Sequence, residues 1–133
     1  MAIDTQKYNE FVNAVTSDDS KVYLAFEKRV FDLEKDVSVE RLLTAALGLC
    51  AESGEFTEVV KKIVFQGKPY NEENVFHMKR ELGDICWYLS QACMALGTTF
   101  DEVIEMNVDK LKKRYPGGEF DVHYSENRQE GDL

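Results

Sequence analysis

The stretch QGKPYN, residues 66–71, divides the longest helical part of the sequence into two. Gly67 and Pro69 end the helix that comes before them, because Gly accepts the left-handed backbone of a helix end and Pro cannot continue a helix. Asn71 is a residue type that caps the start of a new helix. The sequence therefore predicts two long helices joined by a short turn around Lys68, and a short connection makes such neighbours antiparallel.

Apolar residues recur at helical spacing on both sides of this turn. The first long helix is expected to open at Ser38, a plausible N-cap, and to run to about Gln66. The second is expected to run to about Leu96. A further helix follows, from a capping box that begins at Thr99 to the break at Pro116. No long segment has the pattern of a strand, so the sequence predicts an all-α fold.

The periodic spacing of apolar residues is weaker at the two ends of the chain than at its centre. Residues 1–36 contain two shorter helical patterns on either side of a polar run. The tail, 116–133, has the alternating pattern of a short extended arm, at Phe120, Val122 and Tyr124. With 38–115 as the helical core, we expect a single all-α domain over 1–133. It would be a helical bundle built on a central antiparallel hairpin of two long helices.

The composition is that of a globular protein and excludes some partners. The chain has 133 residues, of which 44% are hydrophobic and 31% charged, which suits one soluble domain. Its net charge of −9 argues against a surface for duplex nucleic acid or anionic membrane. The first residues lack the basic start and apolar segment of a signal peptide, which favours the cytoplasm.

Each of the two long helices carries a pair of carboxylates at the edge of its apolar stripe. The first pair is Glu52 and Glu55, and the second is Glu81 and Asp84. Residues three apart share one face of a helix. Counted from Lys68, both pairs lie at the same height, about 20 Å from the turn at 1.5 Å per residue. We therefore expect the four carboxylates to converge.

Four clustered carboxylates beside apolar side chains point to a bound cation. Their charges repel one another unless some are protonated or a cation lies between them. Oxygen ligands suit Mg²⁺ or Mn²⁺. The Glu-x-x-His pair of ferritin-like iron sites is absent, since His77 comes four residues before Glu81. Solvated acids that make surface pairs remain an alternative, which the matched heights weaken.

These acids also carry a resemblance to a known family. Glu52-Ser-Gly-Glu55, a gap of 25 residues, and then Glu81-Leu-Gly-Asp84-Ile-Cys-Trp-Tyr-Leu follow one another in the chain. This resembles the ExxE…ExxD signature of the MazG-like all-α nucleoside triphosphate pyrophosphohydrolases, a superfamily that includes the dimeric dUTPases. The resemblance runs from about Leu42 to Tyr115. Residues 1–36 contribute no motif to it.

The resemblance implies a function and a set of site residues. It implies that the four acidic positions bind Mg²⁺, with Mn²⁺ as an alternative. An NTP or dNTP would be hydrolysed between its α and β phosphates to the monophosphate and pyrophosphate. Asn107 and Lys110 would lie near the phosphates, and Lys62 is a further candidate because it shares a face with Glu55. The alternative for all three is that they are ordinary polar residues of the surface. Glu55 is our candidate for the base that deprotonates the attacking water, which the metal would activate.

The resemblance also implies an oligomer, a homodimer or a homotetramer, that completes the bundle. A second apolar stripe on the helix of Glu81, formed by Phe76, Trp87 and Met94, fits a subunit interface or a core beneath the N-terminal helices. Two other classes of function stay open. One is a non-enzymic helical interaction module, which the intact acids disfavour. The other is a bundle that holds a metal for redox chemistry or storage, which the lack of His ligands disfavours.

Overall fold

A computed structural model describes residues 2–132. Every regular element within these residues is helical, so the all-α fold class is confirmed. The chain divides into two compact units, one that ends at Val39 and one that begins at Glu40. No helix between residues 2 and 132 combines the length and the apolar character needed to span a membrane.

The first unit contains two helices and a short connection. Helix α1 is Thr5–Val15 and helix α2 is Tyr23–Leu33, at the positions of the two expected helical patterns. The Asp4 side chain caps α1 by accepting a hydrogen bond from the Lys7 backbone N–H at 3.1 Å. The polar run between the helices forms a 3-10 turn, Asp18–Ser20, that packs beside α2.

The second unit contains the two long helices. Helix α3 is Val39–Phe65 and helix α4 is Glu72–Leu96, followed by α5, Phe100–Arg114, which contacts α4. Gly97 ends α4 with a φ of 66°, a left-handed conformation that favours glycine. The expected central hairpin is therefore present, and its helices end within a residue or two of the positions expected from the sequence.

The tail corrects one expectation. Residues Val122–Glu126 form a short helix, α6, and not an extended arm. The Asp121 side chain accepts a hydrogen bond from the His123 backbone N–H at 2.8 Å, and this cap starts the helix. The alternating apolar pattern was misleading because an isolated strand needs a partner to hydrogen-bond with.

Side-chain hydrogen bonds close the turn between α3 and α4. The Asn71 side chain accepts a hydrogen bond from the Asn74 backbone N–H at 3.0 Å and caps α4. The Asn74 side chain then donates to the Pro69 carbonyl at 2.6 Å. Asn74 is buried, with 7% of its surface exposed, so its amide group is satisfied where water has little access. The turn therefore has a fixed shape, which sets the register of the two helices.

The register of the hairpin is visible in two contacts. Gly48 of α3 faces the ring of Tyr88 of α4, and each residue is twenty positions from Lys68. Farther from the turn, an Arg41 guanidinium nitrogen lies 3.0 Å from the Met94 sulfur. Because both contacts join residues almost equally distant from the turn, α3 and α4 run antiparallel without slippage. This register determines which carboxylates meet.

The chain buries few large apolar side chains. Among the described residues, the apolar ones with less than a tenth of their surface exposed are Val39, Ala45 and Val59. Leu82 and Leu96 of α4 are 48% and 64% exposed. Trp87 of the second stripe is 56% exposed. A single chain therefore leaves much of its apolar surface in contact with water.

Candidate metal centre

Three carboxylates from the two long helices meet halfway along the hairpin. One oxygen each from Glu52 of α3 and from Glu81 and Asp84 of α4 lie within 4.8 Å of one another. Glu52 and Glu81 are partly buried, and Asp84 is exposed. The matched positions of these residues around Lys68, together with the antiparallel register, explain why they meet. We call this group the carboxylate cluster.

The environment of Glu52 disfavours a negative charge. Burial raises the pKa of Glu52 above its usual value of 4.5, and a hydrogen bond with the Glu81 carboxyl raises it further. The charges of Asp84, Glu81 and Glu55 act in the same direction. The Glu52 carboxylate is therefore at a point where negative charge accumulates. A cation placed there would relieve the repulsion, whereas a second anion would increase it.

A histidine supports one member of the cluster. His77, one helical turn before Glu81, has its Nε2 atom 2.9 Å from a Glu81 carboxylate oxygen. Such a contact restricts the rotation of the Glu81 side chain, as outer hydrogen-bond partners do for metal ligands. The four-residue spacing of His77 and Glu81 is visible in the sequence, but the spacing alone does not assign His77 to the site. The signal that could have found it is this spacing on one helix face.

The fourth predicted acid lies outside the tight group. Glu55 is exposed on α3, one turn nearer the hairpin turn than Glu52. It still affects the cluster, since its charge contributes to raising the pKa of Glu52. A carboxylate near the cluster but more accessible to water has room to exchange a proton with a water molecule.

Glu58 and the lysines beside it form a separate group on α3. The Glu58 carboxylate lies 2.9 Å from the Lys61 ammonium and 3.2 Å from the Lys62 ammonium. Hydrogen bonds from these two lysines lower the pKa of Glu58. Lys62, one of the predicted phosphate ligands, is thus paired with an acid of its own helix. The structure does not bring Lys62 together with Asn107 and Lys110.

Asn107 and Lys110 line one groove on α5. The groove has a volume of about 670 Å³, and its walls are α5 and the end of the tail, residues 129–132. Its size is in the range of small-molecule sites, roughly 300–1,000 Å³. Arg114, one turn beyond Lys110, lines the same groove. Asn107, Lys110 and Arg114 therefore share one face of α5, and the role of Arg114 in this face is not apparent from the family motif.

Comparison with known proteins gives two matches. Residues 40–118 match the family model described as the MazG nucleotide pyrophosphohydrolase domain. The chain is also 34% identical, over 82 residues, to the protein described as "Gene 37 protein" of Mycobacterium phage L5. That alignment covers 61% of this chain and 72% of the phage protein. No solved structure matches the chain. The family match covers all four predicted acids, Asn107 and Lys110.

Proposed function

This chain belongs to the MazG nucleotide pyrophosphohydrolase family, and we propose that it hydrolyses a nucleoside or deoxynucleoside triphosphate to the monophosphate and pyrophosphate. The observation that carries the proposal is the carboxylate cluster, in which Glu52, Glu81 and Asp84 converge from two helices. A cellular role in controlling nucleotide pools would follow from this reaction.

The donor set of the cluster fits a divalent cation. Its groups are carboxylate oxygens, the ligand type that Mg²⁺ and Mn²⁺ prefer. The raised pKa of Glu52 supports the same fit, because crowded negative charge is what a cation offsets. We propose that Glu52, Glu55, Glu81 and Asp84 hold Mg²⁺, with Mn²⁺ as an alternative. When bound, the metal would neutralise phosphate charge and make water a better nucleophile.

The other proposed roles follow from the positions of the side chains. Glu55 would accept a proton from the attacking water, whose oxygen forms a bond to the α-phosphorus. The bond from that phosphorus to the bridging oxygen breaks, and pyrophosphate leaves. Asn107 and Lys110, which line one groove, would contact phosphate oxygens. Lys62 would be a further contact for the phosphates, since its ammonium group has donors beyond the one that faces Glu58.

A metal titration separates the proposed ligands from ordinary surface acids. At about pH 8, Mg²⁺ or Mn²⁺ should raise the melting temperature of the protein, because a ligand that binds only the folded state stabilises it. Glu52→Gln should remove this increase. Glu105→Gln, an acid of α5 outside the cluster, is the control and should keep it. The measurement is thermal denaturation followed by circular dichroism over a range of metal concentrations.

Glu52→Gln should have the opposite effect in metal-free buffer. A carboxyl group whose folded-state pKa is raised contributes stability below its unfolded pKa and loses it as the pH rises through the folded pKa. Metal-free protein at about pH 8 should therefore melt at a higher temperature once this charge is removed. A lower melting temperature for the metal-free variant, with an unchanged response to metal, would contradict the proposed site.

A substrate panel tests the reaction itself. Purified protein should release pyrophosphate from one or more of the common NTPs and dNTPs with Mg²⁺, and should stop when EDTA is added. Base and sugar preference would appear in the same experiment. The alternative is a non-enzymic helical module that retains the fold. Absence of metal-dependent turnover across the whole panel, with Mn²⁺ also tried, would favour that alternative.

We also propose that the chain works as a homodimer or a homotetramer. The observation behind this is the exposed apolar surface of α4, where Phe76 is 62% and Trp87 is 56% exposed. Large apolar faces of this kind are usually covered in a working assembly. Light scattering should give a mass of at least two chains, and Trp87→Lys should lower it. A monomeric wild-type protein at assay concentration would refute the proposal.

A further inference from the structure

The end of the tail folds back onto α5 and places a carboxylate among its cations. The two oxygens of Asp132 accept hydrogen bonds from Nε and Nη2 of Arg114, each at 2.6 Å. One of these oxygens also lies 3.7 Å from the Lys110 ammonium. The side chains of Arg114 and Asp132 are 13% and 12% exposed, so the pair is partly shielded from water. Two hydrogen bonds along one edge of the guanidinium give this contact a defined geometry.

Asp132 has the charge and shape of a phosphate oxygen pair at this position. Arginine binds carboxylates and phosphates through the same fork of N–H donors. The hydrogen bonds from Arg114 lower the pKa of Asp132, and the charges of Arg114, Lys110 and Arg128 add to this effect. Asp132 is therefore an anion at neutral pH. It lies in the groove that Asn107 and Lys110 also line.

We infer that the C-terminal tail is a strap that competes with substrate: Asp132 occupies the cations of α5, and a polyphosphate has to displace it. The inference rests on the proposed function for its substrate, since it assumes that phosphates bind beside Lys110. While Nε and Nη2 of Arg114 donate to Asp132, the same N–H groups cannot donate to a phosphate. The segment is suited to release, because Glu130 and Gly131 beside Asp132 are exposed. A backbone hydrogen bond from the Asp132 N–H to the Gln129 carbonyl, at 3.0 Å, forms a turn in it.

The test compares Asp132→Asn with a matched control. Glu130→Gln removes the same charge from the same tail and the same groove, but leaves the contacts of Asp132 with α5 in place. The probe is inorganic pyrophosphate in metal-free buffer with EDTA, measured by calorimetry, so the carboxylate cluster takes no part. Asp132→Asn should bind pyrophosphate about fivefold more tightly than the wild type, the size of effect of one ion pair near a protein surface. Glu130→Gln should bind it like the wild type.

Two further measurements separate a strap from a structural role of the tail. Asp132→Glu keeps the negative charge and should bring the dissociation constant back toward the wild-type value. With a triphosphate substrate, Asp132→Asn should lower KM with little change in kcat, since only the competition for the cations is removed. In circular dichroism melting curves, Asp132→Asn should lose no more than the small stability of one ion pair, and Glu130→Gln should melt like the wild type.

The outcomes distinguish this inference from the proposed function. Equal pyrophosphate affinities for wild type and Asp132→Asn, or no binding by either, would overturn the strap whether or not the protein is an enzyme. If the protein hydrolyses no triphosphate but Asp132→Asn still binds pyrophosphate fivefold more tightly than the wild type, the strap is supported as a control of anion binding. The proposed reaction is then refuted. If Glu130→Gln bound pyrophosphate as much more tightly than the wild type as Asp132→Asn does, the gain would be a general effect of charge. That result would also overturn the strap.

Discussion

Asp84→Asn should reduce triphosphate hydrolysis by at least about 10²–10³-fold, the loss expected when a group that stabilises transition-state charge is removed. The substitution keeps the size of the side chain and removes one negative charge from the carboxylate cluster, in which Asp84 lies within 4.8 Å of Glu52 and Glu81. Asp84 is exposed, so its replacement should leave the fold intact. The measurement is pyrophosphate release with saturating Mg²⁺, beside a melting curve.

The matched control for this variant is Glu73→Gln. Glu73 is an exposed acid of the same helix, in its first turn and outside the cluster. Glu73→Gln should reduce stability by a few tenths of a kcal/mol, because it removes a negative charge that interacts favourably with the positive end of the helix dipole. Hydrolysis should be unchanged. Full activity in Asp84→Asn would defeat the assignment of the site, and an equal loss in Glu73→Gln would point to a cause other than the cluster.

A related comparison separates a metal ligand from a base. Glu55 lies outside the tight group, and its proposed role is to accept a proton from water. Since Glu55 lies outside the tight group, Glu55→Gln should lose hydrolysis but retain part of the increase in melting temperature that metal produces. Asp84→Asn should lose both. If Glu55→Gln abolished the response to metal as fully as Asp84→Asn, loss of the metal would explain its inactivity and the base would have to be another group.

Gly48→Ala should destabilise the protein by about 1–3 kcal/mol, the usual cost of adding a methyl group to a closely packed contact. A Cβ atom on Gly48 would overlap the ring of Tyr88, so α3 and α4 could not keep their present separation. The ring would have to rotate or the helices would have to move apart. Either movement displaces residues one turn from the carboxylate cluster, since Tyr88 is four residues beyond Asp84. Urea denaturation measures the change.

Gly83→Ala is the matched control for this helix contact. Gly83 is also inside a long helix, but a Cβ atom there would meet nothing within 4 Å. This variant should gain up to about 1 kcal/mol, because alanine favours the helix over glycine. In a Tyr88→Ala background, Gly48→Ala should no longer be costly. Persistence of the full cost in that background would show that the ring does not cause it.

The hairpin could be predicted from the sequence because its helix ends depend on local backbone preferences. The ends of α3 and α4 depend on Gly67, Pro69, Asn71 and Gly97, whose backbone preferences act within a few residues. The tail shows the limit of such rules. A single cap at Asp121 outweighed an alternating pattern that had no neighbouring strand to pair with. Patterns that depend on a distant partner are therefore less reliable than patterns that act locally.

The amino-acid sequence by itself determined the all-α class, the turn around Lys68 and the matched height of the two pairs of acids, because helical rise converts residue number into distance along an axis. Only the tertiary structure decided which of these acids touch. The rotation of each helix about its axis is set by packing, of which the close approach of Gly48 to Tyr88 is one contact. With this packing Glu52 meets Glu81 and Asp84, and Glu55 lies outside the group. The pairing of Asp132 with Arg114, eighteen residues apart, likewise depended on the path of the tail, which no local preference encodes.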